Sequence, residues 1–286
     1  MALPVIQRFS DFPFYDGEWA FEASLQDGMF LPASQTRFVV ATPDGVQTVF
    51  KGSFTVVGGV VTGGTITDYV TKMNGTTVFK GSGFALDAAA TVAAIQAYQG
   101  GDFDAVFKAF FANDTAKKIV GSANDDDLFV AGDGSIGLGK AGNDYVGGNT
   151  YGVTAEILKG GAGNDRIDGN GGADVLYGGK GKDAFWFTDA PDPSAFARIK
   201  DFSPKDDTII VDVTEGFAAV HPGPLDDSQF HVGGKAKTAD QVLIYDKKTG
   251  ALYYDADGSG SEQQVQFAKL AKHLSLTADD FFGAVT

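Results

Sequence analysis

Four aspartates set the chemistry of this chain: Asp126, Asp144, Asp165 and Asp183, spaced by 18, 21 and 18 residues. Each closes a glycine-rich six-residue turn, and each turn is followed by three residues whose middle member is apolar. Gly160-Gly-Ala-Gly-Asn-Asp165-Arg-Ile167-Asp168 is the cleanest copy of this nine-residue unit, followed at once by Gly169–Tyr177 and Gly178–Trp186. Glycines at turn positions permit positive φ and close approach, so backbone carbonyls can converge with an Asp carboxylate. The result is the all-oxygen shell that a hard cation such as calcium prefers.

The frame runs further back. Gly121–Phe129 and Gly139–Gly147 are repeats, with Asp126 and Asp144 in the acidic position. Between them Val130–Leu138 is in frame but decayed, with Ser135 in the acidic position and Gly137 in the apolar one. After an insertion at Gly148-Asn-Thr150, Tyr151–Lys159 resumes the frame with Glu156 and Leu158. Seven turns result. The candidate metal residues are Asp126, Asp144, Glu156, Asp165, Asp174 and Asp183, with the turn glycines Gly121, Gly139, Gly142, Gly160, Gly163, Gly169, Gly178 and Gly181.

Three-residue segments act as short strands, with Leu128, Val146, Leu158, Ile167, Leu176 and Phe185 pointing into a narrow interior. Successive turns then alternate between two edges of a coil. The first, third, fifth and seventh turns share one edge, predicting an intact ladder through Asp126, Asp144, Asp165 and Asp183. The decayed and inserted turns share the other edge with Asp174, which is expected to hold fewer ions, near Glu156 and Asp174. One apolar residue in nine is a thin core against an ordering cost of roughly 1 to 2 kcal/mol per residue. Folding of this region is therefore expected to be coupled to metal binding, with affinity of about 0.1 to 1 mM. An unpatterned Gly-rich linker would keep no such frame.

The elements around the repeats are read from composition and period. The chain has 286 residues, 37 Asp and Glu against 22 Lys and Arg, a net charge of -15 and no cysteine. Disulfides, thiolate zinc sites and a Cys nucleophile are excluded. No run of Lys or Arg exceeds a pair, which argues against nucleic acid as a partner. No stretch approaches a membrane-spanning length, and the N-terminus lacks the basic and apolar segments of a cleaved export signal.

Residues 36–86 read as an antiparallel meander, punctuated at Asp44-Gly45, Gly58-Gly59, Gly63-Gly64 and Asn74-Gly75. Asp87 caps an expected helix over Ala88–Gln99, ended by Gly100-Gly101, and Asp102 caps a second over Phe103–Ala112. Residues 1–115 thus form a small α+β domain, 116–190 a calcium-binding coil of short strands, and 191–286 a β cap; the fold class is mainly β. In the cap, Val242–Asp246 and Ala251–Asp255 read as a hairpin, and Gln263–His273 as a short helix. Asp255-Ala-Asp257-Gly-Ser259-Gly begins like a helix-loop-helix calcium loop, but Gln266 stands where its bidentate Glu belongs. Asp201 and Asp207 stand where they either complete the last metal site or serve as turn residues.

The nonapeptides, with Ile199-Lys-Asp-Phe202, Asp206-Asp-Thr-Ile209, the segment Leu243–Gly258 and the acidic, aromatic terminus, resemble the repeats-in-toxin (RTX) family. The likeness covers residues 116–286. It implies a parallel β-roll, Ca2+ ligation by the repeat aspartates, and an extracellular or cell-surface location. It also implies export by type I secretion machinery through an uncleaved C-terminal signal. The family does not specify the cargo. Residues 1–115 contain neither His nor Cys, which removes a His-ligated zinc site or a Ser-His triad confined to them. Two readings remain: a non-catalytic domain binding a surface, a polysaccharide or a partner, or a glycan-acting enzyme using carboxylates alone. For the second, Asp16, Glu18 and Glu22 are the tight acidic group near aromatics.

Overall fold

The computed structural model describes residues 5–8, 23–102, 105, 118–130, 132–148 and 155–286. The protein is mainly β and divides into two compact units, Met1–Asn124 and Asp125–Thr286. The expected second helix over 103–112 lies outside the described residues, except for Ala105.

In the first unit, β1 (Val5–Arg8), β2 (Met29–Leu31), β3 (Arg37–Ala41), β4 (Val46–Val57), β5 (Val60–Met73) and β6 (Thr76–Asp87) form an antiparallel sheet in the order β2-β3-β4-β5-β6-β1. The meander read from the sequence is present, with tight turns at Asp44-Gly45, Gly58-Gly59 and Asn74-Gly75. Gly63-Gly64 is not a turn. β5 runs straight through it, and Gly64 sits at φ +108° so close to the Ser53 carbonyl that no Cβ would fit. There the glycines serve close backbone approach and a bulge rather than chain reversal.

Asp87 caps α1 (Ala88–Gln99) by accepting the Ala90 N–H at 2.7 Å, and the helix ends at Gly100. Ala88, Thr91, Val92 and Ile95 fall at i, i+3, i+4 and i+7, the face buried on the sheet. Ala88, Val92 and Ile95 meet Phe38, Phe50, Phe54, Ile66, Tyr69 and Phe84 in one core, where Phe38 stacks on Phe50 at 4.6 Å. The Gln99 side chain donates to the Leu25 and Gly28 carbonyls at 2.9 and 2.8 Å, tying the helical residues 23–27 to α1. β7 (Lys118–Val120) lies parallel to β1.

The second unit alternates between two parallel sheets. β8 (Asp127–Phe129), β10 (Tyr145–Gly147), β12 (Arg166–Asp168), β14 (Ala184–Phe187) and β16 (Thr208–Asp212) build one. β9 (Ile136–Ala141), β11 (Ile157–Ala162), β13 (Val175–Lys180) and β15 (Ala197–Ile199) build the other, giving a solenoid of about 4 turns. Register keeps the apolar residues in columns: Leu128, Val146, Ile167, Phe185 and Ile209 stand opposite one another, as do Leu158, Leu176 and Ile199. All are essentially inaccessible to solvent.

The cap extends both sheets. β17 (Gly223–Pro224) and β22 (Phe281–Ala284) follow β16, so Phe281 joins the Ile209 column. β18 (Phe230–Val232), β19 (Leu243–Asp246), β20 (Ala251–Tyr254) and β21 (Val265–Lys269) follow β15, with β19 and β20 forming the expected hairpin. The helix expected over Gln263–His273 is instead β21. Its short apolar pattern fits either structure, and tertiary packing decides: Phe267 meets Phe187 and Phe217 edge-on at 5.0 Å each, and the backbone pairs with β15 and β20.

Candidate metal centre

Each repeat turn must satisfy its backbone groups while reversing the chain into a parallel neighbour, and the acidic residue does much of that. Asp144 Oδ1 accepts the Asp126 N–H at 2.8 Å, Asp165 Oδ1 the Asp144 N–H at 2.8 Å, and Asp183 Oδ1 the Asp165 N–H at 3.0 Å. Asp207 Oδ1 continues the series with the Asp183 N–H at 3.1 Å. One edge of the solenoid is therefore a continuous ladder from Asp126 to Asp207. The Asp144–Asp165 rung spans 21 residues where its neighbours span 18, locating the three-residue insertion between them.

The other oxygen of these carboxylates is the informative one. Asp144 Oδ2, Asp165 Oδ2 and Asp183 Oδ2 are buried with no hydrogen-bond partner. Each sits directly against the α-carbon of the glycine that opens its own turn, Gly139, Gly160 and Gly178, where a Cβ would collide with it. An ionised buried oxygen without a donor costs free energy unless a proton or a cation reaches it. Burial first, and neighbouring aspartates after it, push Asp144 up to about 7 and Asp183 up to about 6; Asp165 and Asp207 are raised mainly by burial.

Turn glycines make the stacking possible. Gly163, at φ +140°, packs so tightly on the Gly142 carbonyl of the adjacent turn on the same edge that no side chain could be added, and Gly181 packs the same way on Gly163. Gly121 is buried just after β7.

On the second edge Asp174 Oδ1 accepts the Glu156 N–H at 2.7 Å, and Asp174 Oδ2 is again buried, without a partner, beside Gly169. Burial and the adjoining Glu156 raise Asp174. Ser135 occupies the preceding acidic position, buried and without a carboxylate. The missing apolar residue at Gly137 is replaced partly from outside the frame: Val130, with Val146 of the next repeat, fills the space that a side chain there would take. Asp201 Oδ1 accepts the Gly178 N–H at 3.0 Å, and both Asp201 and Asp207 lie close enough to raise Asp183.

The fifth position of the repeat, to which the nine-residue frame assigned no role, also bonds from turn to turn. Asp125 Oδ1 accepts the Asn143 N–H at 2.6 Å, Asn143 Oδ1 the Asn164 N–H at 2.8 Å, and Asn164 Oδ1 the Lys182 N–H at 2.8 Å. These bonds run opposite in sense to the Asp ladder, so each turn is tied to the next in both directions. The signal was visible as the recurrence of Asp or Asn before Asp126, Asp144 and Asp165.

Among the described residues, nowhere do three or more acidic or imidazole side chains converge as a ready-made metal cluster. The donor set that fits is two carboxylates from neighbouring turns with backbone carbonyls, an oxygen-only shell suited to a hard cation. Residues 151–184 match the family model described as the RTX calcium-binding nonapeptide repeat, in four copies. These turns are RTX calcium-binding repeats. Calcium is accordingly the cation of these repeats. No curated protein matches the sequence. A solved structure, the AlgE6R3 subunit of the mannuronan C5-epimerase from Azotobacter vinelandii, is 25% identical over 59% of this chain and 74% of that one, at a TM-score of 0.23. At that TM-score the likeness bears on neither fold nor activity. Asp16, Glu18 and Glu22 lie outside the described residues.

Proposed function

We propose that this chain is an exported calcium-binding RTX protein whose roll, 116–190, folds when Ca2+ bridges the repeat aspartates after export. The observation that carries this reading is the row of buried, unpartnered oxygens on Asp144, Asp165 and Asp183. Bound calcium supplies the positive charge those oxygens lack. The residues themselves fix the turn register through Oδ1 and present Oδ2 to the ion. Without the ion, like charges 18 or 21 residues apart in sequence repel across adjacent turns, which favours an open chain where calcium is scarce.

In the same reading, residues 191–286 cap the roll and carry the address read by a type I export channel. Residues 1–115 form a non-catalytic domain that binds a surface, a polysaccharide or a partner. The lack of His and Cys in that domain supports the non-catalytic assignment. A far-UV circular dichroism titration of the full chain tests the central claim: strand signal in the roll should rise cooperatively with calcium at about 0.1 to 1 mM and stay low in chelator. Identical spectra in the two conditions would sink it. Export is tested separately by co-expression with a type I transporter, where removal of residues 191–286 should leave the protein inside the cell.

A further inference from the structure

The cap holds a second crowding of carboxylates, remote in sequence from the repeats. After β20 the chain turns through Asp255-Ala-Asp257-Gly-Ser-Gly260. Asp255 is only 5% exposed, and Oδ1 of both Asp255 and Asp257 is buried with no hydrogen-bond partner. The two carboxyl groups lie within hydrogen-bond reach of each other, with the Glu262 charge alongside. None of the ion pairs among the described residues involves either aspartate.

Two touching carboxyls cannot both remain ionised and desolvated without a counter-charge. A shared proton would serve one oxygen, whereas a cation serves both. Asp257 Oδ2 accepts the Ser261 and Glu262 N–H groups at 2.8 and 3.1 Å, bonds that fix the orientation of this carboxylate and leave Oδ1 unpartnered. Gly258, at φ +60°, lies against the Thr238 and Ala239 carbonyls, so the loop is rich in backbone oxygen. Gln266, twelve positions into the loop, is turned away in β21 with its amide donating to Ala268 O at 3.2 Å, so this is not a helix-loop-helix site.

We propose that the Asp255 and Asp257 Oδ1 atoms hold one hard divalent cation of the calcium class, together with loop carbonyls and water, at a site independent of the roll. Glu262 adds to the attracting charge from the rim.

The test counts ions. Native mass spectrometry of the full chain at saturating calcium should find one ion fewer in D255N/D257N than in the parent, with the calcium-induced circular dichroism transition of the roll retained. An equal count overturns the proposal, and so does an equal count accompanied by a shifted pH optimum of stability, which marks a shared proton. If the double variant fails to fold, Asp257→Asn carries the test, since its amide oxygen keeps both N–H bonds. It should weaken one class of ion at least tenfold, and unchanged binding overturns the assignment. Failure of the roll reading would remove the circular dichroism transition and leave this ion in place, so the two outcomes are distinguishable.

Discussion

Replacing Asp144 by Asn should move the calcium-free and calcium-loaded states of the roll in opposite directions. The amide oxygen can still accept the Asp126 N–H that Asp144 Oδ1 holds at 2.8 Å, so the rung survives. What disappears is the charge on a carboxyl that is 2% exposed and raised from 3.8 to about 7. That displacement corresponds to a ceiling of roughly 4 kcal/mol for keeping the charge in the folded, metal-free roll. The turn stands at a solvent-facing edge, and screening reduces the figure to about 2 kcal/mol. A carboxyl raised in the folded state contributes stability below its unfolded value and loses it as pH rises through about 7. At pH near 8 in chelator, Asp144→Asn should therefore favour the folded roll by about 2 kcal/mol, roughly 30-fold in the coil-to-roll equilibrium. With calcium present the same change removes one anionic ligand from the ladder, and the folding midpoint should move to higher calcium. Circular dichroism in chelator and in calcium reads both effects. The reasoning fails if the variant's chelator spectrum matches the parent's and its calcium midpoint is unmoved.

Acid should partly substitute for metal: with Asp144 raised to about 7 and Asp183 to about 6, the parent chain in chelator should gain strand signal as pH falls from 8 to 5, and a flat profile would contradict it. Gly163→Ala combines φ +140° with collision on the Gly142 carbonyl and should prevent the calcium transition, whereas Gly75→Ala, at φ +84° with open space around it, should cost only about 1 kcal/mol by chemical denaturation. Ile167→Ala, at a fully buried position with Val146 and Phe185 on either side, should cost about 2 to 5 kcal/mol in denaturant unfolding of the calcium-loaded protein.

The roll was legible in the sequence because its period is strict on either side of one three-residue insertion: once Ile167 and Leu176 are nine residues apart and on opposite sheets, the other positions follow up to that insertion, and the same step resumes before it. α1 was legible for a local reason, since Asp87 and Gly100-Gly101 mark its ends chemically and the bonds they make are short-range. What escaped depends on partners far away in the chain. Val265–Lys269 has no period of its own to separate helix from strand, and only the edges of β15 and β20, some 70 and 15 residues away, commit it to a sheet. Gly63-Gly64 is a turn signal in isolation, overruled by the close passage of Ser53.

The damaged second turn shows how the same logic decides what a repeat can lose. Its apolar position fails at Gly137, yet Val130, outside the apolar frame, is 1% exposed and closes the gap with Val146, so the interior stays filled. Its acidic position fails at Ser135, and the carboxylate this turn does carry, Asp133, accepts the Ala155 N–H at 3.1 Å instead of standing in the acidic position. Packing can be repaired by any apolar group that reaches the void, because it is non-directional. Ligation cannot, because the oxygen must arrive from the turn itself with its rung bond intact. A solenoid of this kind therefore tolerates decay of its core positions better than decay of its acidic ones. Restoring Ser135 to Asp should add calcium affinity on the second edge beside Glu156 and Asp174, whereas restoring Gly137 to Leu should destabilise the roll, since its Cβ would meet the Val130 side chain at 2.6 Å. Ion counting on Ser135→Asp and denaturant unfolding of Gly137→Leu separate the two. If Gly137→Leu stabilises the protein, the void is not filled by Val130 and the asymmetry argued between packing and ligation is wrong.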